Sequence, residues 1–400
     1  MTGRGVLYAA FDAYPGLKGA QYHIRLSLRT LARMAAPVTL LSLGSGASFR
    51  DPESGADVLT CAANEPNFLR RSEIFSRFVS ETADRLAAKP PAVVHFRDIW
   101  SGVPLLDHPI CRKCRTVFEV NGLPSVELPD HFPRLAGNST LLSKLRRLEE
   151  ECLCRADRVI AVSHHSAGYL AHRGADRTKV HVIPNAAYPP LPHHHPATGV
   201  DCYDSAAAAG HRILLYAGTL APWQGVETLL AAMTLLSHRS DLRLIIAAAG
   251  RKGTDRVNRL VHRQSLTGTV SIVSGVHHRV VPSLFAGAVL SFAPLSRGAR
   301  NESQGCSPVK VVESMAAGTP VVASDLPAMR ELVSHGMDGW LVPPGSPRAL
   351  AAAIDRLTTD ESLRRHLAQG AGERGLREFG PQLFTTRLGA IYHGLMEGMS

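Results

Sequence analysis

In the stretch Gly305-Cys306-Ser307-Pro308-Val309-Lys310-Val311-Val312-Glu313, a cation and a carboxylate stand three residues apart in otherwise apolar surroundings. Glu313 is the only charged residue between Lys310 and Asp325. A lone carboxylate on an apolar helix is either paired within the protein or free to accept hydrogen bonds from a ligand's hydroxyls. Ser307 is the expected N-cap, Pro308 suits the first helical position, and Gly318 ends the helix. The start of such a helix, with the loop before it, aims free N–H groups at an anion. The loop from Gly305 to Ser307 and the helix start thus aim amides at whatever ligand lies there, and Glu313 can accept its hydroxyls.

Two other segments offer the same geometry. Tyr216-Ala217-Gly218-Thr219 ends an apolar run, and a helix is expected soon after Pro222-Trp223-Gln224-Gly225. Gly218, Thr219 and Gln224 thus stand in a strand-to-helix loop, where simple helix capping is the plain alternative. Pro15-Gly16-Leu17-Lys18-Gly19-Ala20 lies between the first expected strand and the first expected helix, so Gly19 and Ala20 can approach a phosphate closely. Neither segment is a Walker loop or a G-x-G-x-x-G fingerprint. Arg251 follows Gly250 at another strand end and is placed to reach a ligand there.

The elements that must position these residues alternate between short apolar runs and amphipathic stretches, the pattern of parallel α/β layers. Strands are expected at 6–11, 38–43, 92–96, 116–120, 158–162 and 179–183, and then at 212–217, 242–248, 270–273, 288–293, 320–323 and 340–342. Helices fall between them, for example at 20–35, 141–155, 226–237, 255–265, 280–286, 308–317 and 327–334, and from 347 to the end. Residues 188–210 are rich in Pro, His, Ala and Gly and read as a linker. The expected organisation is an N-terminal Rossmann-like domain at 1–187, a linker at 188–211, and a C-terminal Rossmann-like domain at 212–380. A helix at 381–400 is expected to pack back toward the first domain. Two such domains facing each other would form a cleft, with functional loops after the strands.

Four hundred residues, 45% of them apolar and 20% charged, suit a multidomain globular chain. The net charge of +10 favours anionic ligands. The basic residues are scattered, with no run that suggests a nucleic-acid arm. The N-terminus lacks the pattern of an export signal and no run is long enough to span a bilayer, so a cytoplasmic protein with reduced thiols is expected. Cys111 and Cys114, with Cys152 and Cys154, could in principle hold zinc. The latter two stand one residue apart on an expected helix and so point to different faces. His193, His194 and His195 sit among prolines as a linker. No metal site is expected.

The second half resembles glycosyltransferase family 4, a large family of retaining enzymes of GT-B fold. The matching pieces are Tyr216-Ala217-Gly218, Pro222-Trp223-Gln224-Gly225-Val226-Glu227, the strand and turn at 270–276, Ser307-Pro308-Val309-Lys310 with Glu313, Met315-Ala316-Ala317-Gly318-Thr319-Pro320-Val321-Val322-Ala323-Ser324, Arg330-Glu331, and Gly339-Trp340-Leu341-Val342-Pro343-Pro344-Gly345. The first half is similar through Lys18-Gly19-Ala20 with His23, Glu119-Val120-Asn121-Gly122, Ala156-Asp157-Arg158-Val159-Ile160-Ala161-Val162-Ser163 and Lys179-Val180-His181-Val182-Ile183-Pro184-Asn185. The resemblance implies an α/β GT-B fold and a nucleotide-sugar donor, with UDP ahead of GDP. Glu313 would bind the donor ribose, Gly19 the diphosphate, and backbone near Gly275 and Val276 the base. Cys306, Ser307 and Pro308 would line the sugar and diphosphate.

The chain departs from the family at three places. Gly305 stands where a first glutamate often grips the donor sugar, and the chain resembles a subgroup with Ser-Pro-x-Lys in this segment. Thr219 and Gln224 stand where an arginine and a lysine often clamp phosphates. Lys310, Arg251, Arg297 and Arg300 are the candidate replacements. The resemblance also implies retention by front-face attack, with a donor phosphate oxygen taking the acceptor's proton, no metal and no obligatory protein base. Among residues expected after two adjacent strands (His95, Arg97, Glu119 and Asn121), Glu119 and Asn121 are favoured for orienting the acceptor. That acceptor is a small molecule, a lipid-linked sugar or a glycan. The helix over 141–153, with Lys144, Arg146 and Arg147 beside its leucines, could touch an anionic membrane but more simply packs on the sheet. A nucleotide-sugar epimerase or hydrolase of the same fold, or a non-catalytic nucleotide-sugar-binding protein, is the alternative.

Overall fold

The computed structural model describes residues 5–16, 19–34, 37–62, 64–188 and 198–397. It divides into two compact units: Met1–Pro184 with Phe384–Ser400, and Asn185–Leu383.

Unit 1 holds eight strands: β1 Val6–Ala13, β2 Val38–Gly44, β3 Phe49–Arg50, β4 Asp57–Ala62, β5 Val93–Phe96, β6 Arg115–Val120, β7 Arg158–Ala161 and β8 Val180–Val182. Their order across the sheet is β3-β4-β2-β1-β5-β6-β7-β8. All neighbours are parallel except β3, which runs antiparallel to β4. β1 lies at the centre, with Val6 in register with Val38 on one side and Val93 on the other. Its run Val6 to Ala10 is fully apolar because helices cover both faces of the sheet. On one face Phe96 stacks on Phe118 with ring centroids 4.9 Å apart, above a core that includes Phe75 and Leu105.

Unit 2 holds β9 Arg212–Gly218, β10 Leu242–Ala248, β11 Val270–Ser274, β12 Leu290–Ala293, β13 Val321–Ser324 and β14 Gly339–Val342. Their order is β11-β10-β9-β12-β13-β14, all parallel. Alternate residues serve two cores: Leu214, Tyr216, Leu244 and Ile246 pack on one face, while Ile213, Leu215, Ile245 and Ala247 pack on the other.

Three expectations are corrected here. The linker expected over 188–211 contains the helix Asp201–Ala208, and residues 189–197 of it, with the three histidines, lie outside the described residues. Alanine gives that helix its propensity. Asp204 accepts hydrogen bonds from the N–H groups of Thr198 and Gly199, and buried Tyr203 donates to the Leu284 carbonyl, so the segment packs as part of unit 2. The polar residues of β4 hid a strand, because Asp57 and Thr60 break the apolar run. The helix of the 305–313 segment is Val309–Ala316, so Pro308 takes the cap position and Ser307 does not cap it. Cys152 is buried and Cys154 exposed, on different faces of the helix Ser139–Arg155. Among the described residues no helix is long and apolar enough to cross a membrane.

Candidate functional site

In each sheet the winding direction changes once, beside the first strand of the unit. In unit 2 that point lies between β9 and β12. Open α/β sheets bind ligands there, outside the carboxyl ends of the strands. Gly218 ends β9 with φ +144°, and a Cβ on it would come within 2.9 Å of the Lys310 Nζ. Only glycine leaves the ammonium that room. The Lys310 Nζ donates to the Gln224 Oε1 at 2.7 Å and lies 4.0 Å from the Tyr216 ring centroid. The buried Tyr216 hydroxyl donates in turn to the Thr219 carbonyl at 2.5 Å. Burial pushes the Lys310 ammonium down to about 7. A cation that sheds its proton near neutrality lacks a counter-charge, and a phosphate would supply one.

Glu313 lies one turn further along the same helix. Burial pushes its carboxyl up to about 8. Among the described residues no hydrogen bond or ion pair involves its side chain. A carboxyl this poorly solvated and unpartnered is costly to keep charged, and ligand hydroxyls can satisfy it.

The other expected donor residues are spread over unit 2. Gly305, at φ +79°, ends a π-helical turn over Ala299–Gln304. That turn is held by Asn301, whose Nδ2 donates to the carbonyls of Trp223 and Ser296. Cys306 and Pro308 are partly buried. Ser307 serves the protein itself: its Oγ accepts from the Asn185 N–H at 3.2 Å, and the Asn185 Nδ2 donates to its carbonyl at 2.6 Å. Its hydroxyl is thus already engaged. Of the candidate replacement cations, Arg297 pairs with Glu302 at 2.7 Å and Arg300 lies over the Trp223 ring at 5.2 Å. Arg251 is exposed beyond β10. Lys310 is the one that stands on Gln224. Val276 lines a pocket of about 520 Å³ with Gly275, His277 and residues 198–202.

In unit 1 the switch point lies between β1 and β5. Gly19 and Ala20 are the first residues of the helix Gly19–Met34; Lys18 lies outside the described residues. His95 and Glu119 require a correction. Both were expected to face a ligand, but their side chains lie inside the sheet, within β5 and β6, and are 0% and 2% exposed. Parallel strands buried on both faces hide even polar side chains. Glu119 accepts from the Tyr8 hydroxyl at 3.1 Å, the Arg97 Nε at 3.0 Å and the Asn121 Nδ2 at 2.8 Å. His23 and His95 lie 2.7 and 3.2 Å from its oxygens. Burial alone would raise the Glu119 carboxyl, but His23, Arg97 and the hydrogen bonds outweigh it and hold it well below the usual range. Burial pushes the His95 imidazole down, and its Nδ1 lies 2.8 Å from the Tyr392 hydroxyl of the last helix. Glu119 and His95 therefore hold the protein together, while Asn121, in the loop after β6, is partly exposed.

Sequence reasoning missed Tyr8, Asp12, Asn185 and Tyr392 as partners. No local signal marks them, because the contacts they make join residues 111, 85, 122 and 297 positions apart. On the helix Ser139–Arg155, Leu145 and Leu153 are buried while Lys144, Arg146 and Arg147 are exposed, so the leucine stripe packs inward.

Two family models match the chain: Glycosyltransferase Family 4 over residues 17–187, and Glycosyl transferases group 1 over residues 211–360. An alpha-D-kanosaminyltransferase of Streptomyces kanamyceticus is 29% identical over a match covering 45% of each chain, so just under half of that relative's length is spanned. A D-inositol 3-phosphate glycosyltransferase of Xylanimonas cellulosilytica is 24% identical over 90% of this chain and 87% of that one. Among solved structures, a sucrose-phosphate synthase of Thermosynechococcus elongatus superposes with a TM-score of 0.82 at 19% identity, over 99% of this chain and 100% of that one. Anabaena HepE in complex with UDP-glucose does so with a TM-score of 0.72 at 18% identity, over 98% and 100%. In each half, then, the chain is similar to glycosyltransferases, a family 4 match followed by a group 1 match, on the GT-B fold.

Proposed function

We propose that the protein is a retaining hexosyltransferase that moves a sugar from a nucleotide diphosphate sugar, UDP-sugar first, to a hydroxyl acceptor without a metal. Unit 2 takes the donor and unit 1 the acceptor. The observation that carries this reading is the pair on the helix Val309–Ala316. Lys310 rests on the neutral Gln224 amide and the Tyr216 ring, and three residues on, the Glu313 side chain has no hydrogen bond or ion pair among the described residues. The downward push on the lysine and the upward push on the carboxyl are in keeping with this. Each lacks what a nucleotide sugar brings, a phosphate for Lys310 and ribose hydroxyls for Glu313.

The diphosphate leaves with negative charge, and Lys310 with the N–H groups at the starts of helices would stabilise it. These groups include those near Gly305 to Pro308, Gly218 and Thr219, and Gly19 and Ala20. The pocket beside Gly275 and Val276 suits a base, and exposed Arg251, whose side chain has no partner among the described residues, is available to the phosphates. HepE, a neighbour in fold, is in complex with UDP-glucose, which supports trying UDP-sugars first. Asn121 is the acceptor-side residue retained. The reading puts the enzyme in the cytoplasm, with Lys144, Arg146 and Arg147 meeting anionic lipid through charge alone.

The test is incubation with UDP-, GDP- and ADP-sugars, with and without hydroxyl acceptors, following nucleotide release. Acceptor-dependent release supports transfer. Release that ignores the acceptor marks a hydrolase, and binding without release marks a non-catalytic binder.

A further inference from the structure

The switch point of unit 1 holds a pair that none of the donor chemistry uses. Asp12 lies near the end of β1, and Arg97 is the first residue after β5. The Arg97 Nη1 donates to the Asp12 Oδ2 at 3.1 Å, so the ion pair bridges the two strand ends where an open α/β sheet takes its ligand. The partners differ in exposure: the Arg97 side chain is 5% exposed and that of Asp12 39%. Behind Arg97 the contacts continue inward, through its Nε to Glu119, from Glu119 to His95, and from His95 to Tyr392. Tyr392 is fully buried on the helix Pro381–Glu397. This chain of contacts reaches the surface at one carboxylate. Its Oδ2 is held, and its Oδ1 has no partner among the described residues.

Resting on the transferase reading above, we propose that Asp12 orients the acceptor: its Oδ1 accepts a hydrogen bond from the hydroxyl that attacks the sugar. Arg97, Glu119, His95 and Tyr392 act as positioning residues that fix the Asp12 rotamer. In the transfer, the acceptor oxygen bonds to the anomeric carbon as the bond from that carbon to the diphosphate breaks. The electron pair leaves with the diphosphate and the acceptor's proton goes to a diphosphate oxygen. Asp12 therefore takes no proton, and its contribution is geometric. Arg97 is already committed to two carboxylates, so it does not compete for the donor's phosphates.

The experiment measures nucleotide release by full-length wild type, Asp12→Asn, Asp12→Glu and Tyr392→Phe, varying donor and acceptor separately. The acceptor probes are glycerol, myo-inositol and methyl glucoside, and UDP affinity is measured by calorimetry. A misplaced reacting group costs on the order of 100-fold, so Asp12→Asn should lose about that much in kcat/KM for the acceptor. The KM for the donor should stay within about twofold, and Asp12→Glu should recover part of the loss. Tyr392→Phe should lose roughly 3- to 10-fold with the same split, a pattern that a general loss of folding would not produce. Equal losses for donor and acceptor, an unchanged Asp12→Asn, or a wild type that no polyol accelerates would overturn the assignment. A wild type that binds no nucleotide at all would instead sink the donor reading on which it rests.

Discussion

Glu119, on strand β6 of unit 1, and Glu313, on the helix Val309–Ala316 of unit 2, are both carboxylates near a switch point, yet their surroundings push them in opposite directions. Glu119 is enclosed by Tyr8, Arg97, Asn121, His23 and His95 and is held well below the usual carboxylate range. Among the described residues Glu313 has no such company, and it is pushed up to about 8. Burial disfavours charge at both sites, and the difference lies in what the protein supplies to offset it. A buried charge with a full set of internal partners fixes geometry. One left without partners can be satisfied by the hydroxyls of a ligand. Arg97 and Lys310 repeat the contrast among the cations: the first is locked between Asp12 and Glu119, and the second rests on a neutral amide and a ring.

Four substitutions press on that contrast, in descending size. Glu119→Gln should cost about 3–5 kcal/mol of stability by urea unfolding, because it takes from the buried Arg97 its one buried counter-charge and leaves it only the half-exposed Asp12. The folded pKa of Glu119 lies below its unfolded value, so its contribution is full above the unfolded pKa and is lost as pH falls toward the folded one. Wild type should therefore weaken steadily in acid, and the variant should lack that slope. A variant as stable as wild type would break the comparison on the unit 1 side.

Glu313→Gln should lose roughly 100-fold in donor kcat/KM, about 2.7 kcal/mol, yet gain stability at high pH. The sign follows from the raised folded pKa, about 8 against an ordinary 4.5. The folded state holds the extra proton between those values, so wild type loses stability as pH rises from 4.5 to 8. Melting temperatures should separate at pH 9 and converge at pH 4. Separation in the opposite sense would mean that Glu313 is satisfied within the protein.

Lys310→Met should weaken UDP binding about tenfold, the worth of one charge-assisted phosphate contact. The folded pKa of Lys310 is about 7 against 10.5, so its buried charge destabilises fully below 7 and progressively less as pH rises to 10.5. The methionine variant should accordingly gain more stability at pH 6 than at pH 10, which differential scanning calorimetry can follow. Asn185→Ala should cost only about 1–2 kcal/mol, because it removes a side-chain hydrogen bond to the Ser307 carbonyl and leaves the backbone one in place. A loss in donor affinity as large as that of Glu313→Gln would make the Ser307 loop, rather than the helix charges, the centre of the site.

The fold was legible wherever strands are apolar runs. β9 and β10 announce themselves by Ile213 to Ala217 and Leu244 to Ala248, which are buried on both faces. β4 did not, because Asp57 and Thr60 interrupt it, and the helix Asp201–Ala208 was hidden in a segment whose composition reads as linker. In unit 2 the loop residues Gly218 and Gln224 do meet Lys310, a meeting that spacing within each segment suggests but cannot measure. The burial of His95 and Glu119 was not legible. Both fall inside the strands expected at 92–96 and 116–120, and spacing along a strand covered on both faces does not tell which polar side chain the interior will satisfy. The tie from His95 to Tyr392 depends on tertiary packing across 297 residues.

The central claim is that Glu313 is kept without protein partners for a nucleotide, and its own titration tests this directly. The carboxyl of Glu313, labelled with carbon-13 and assigned through Glu313→Gln, can be followed by NMR from pH 4 to pH 10. It should titrate near 8 in the free protein. With saturating UDP, or whichever of GDP and ADP raises the melting temperature instead, it should move down toward the ordinary carboxylate range as hydroxyls satisfy the charged form. A free-protein titration already at that ordinary value, or one that a bound nucleotide leaves unmoved, would contradict the account.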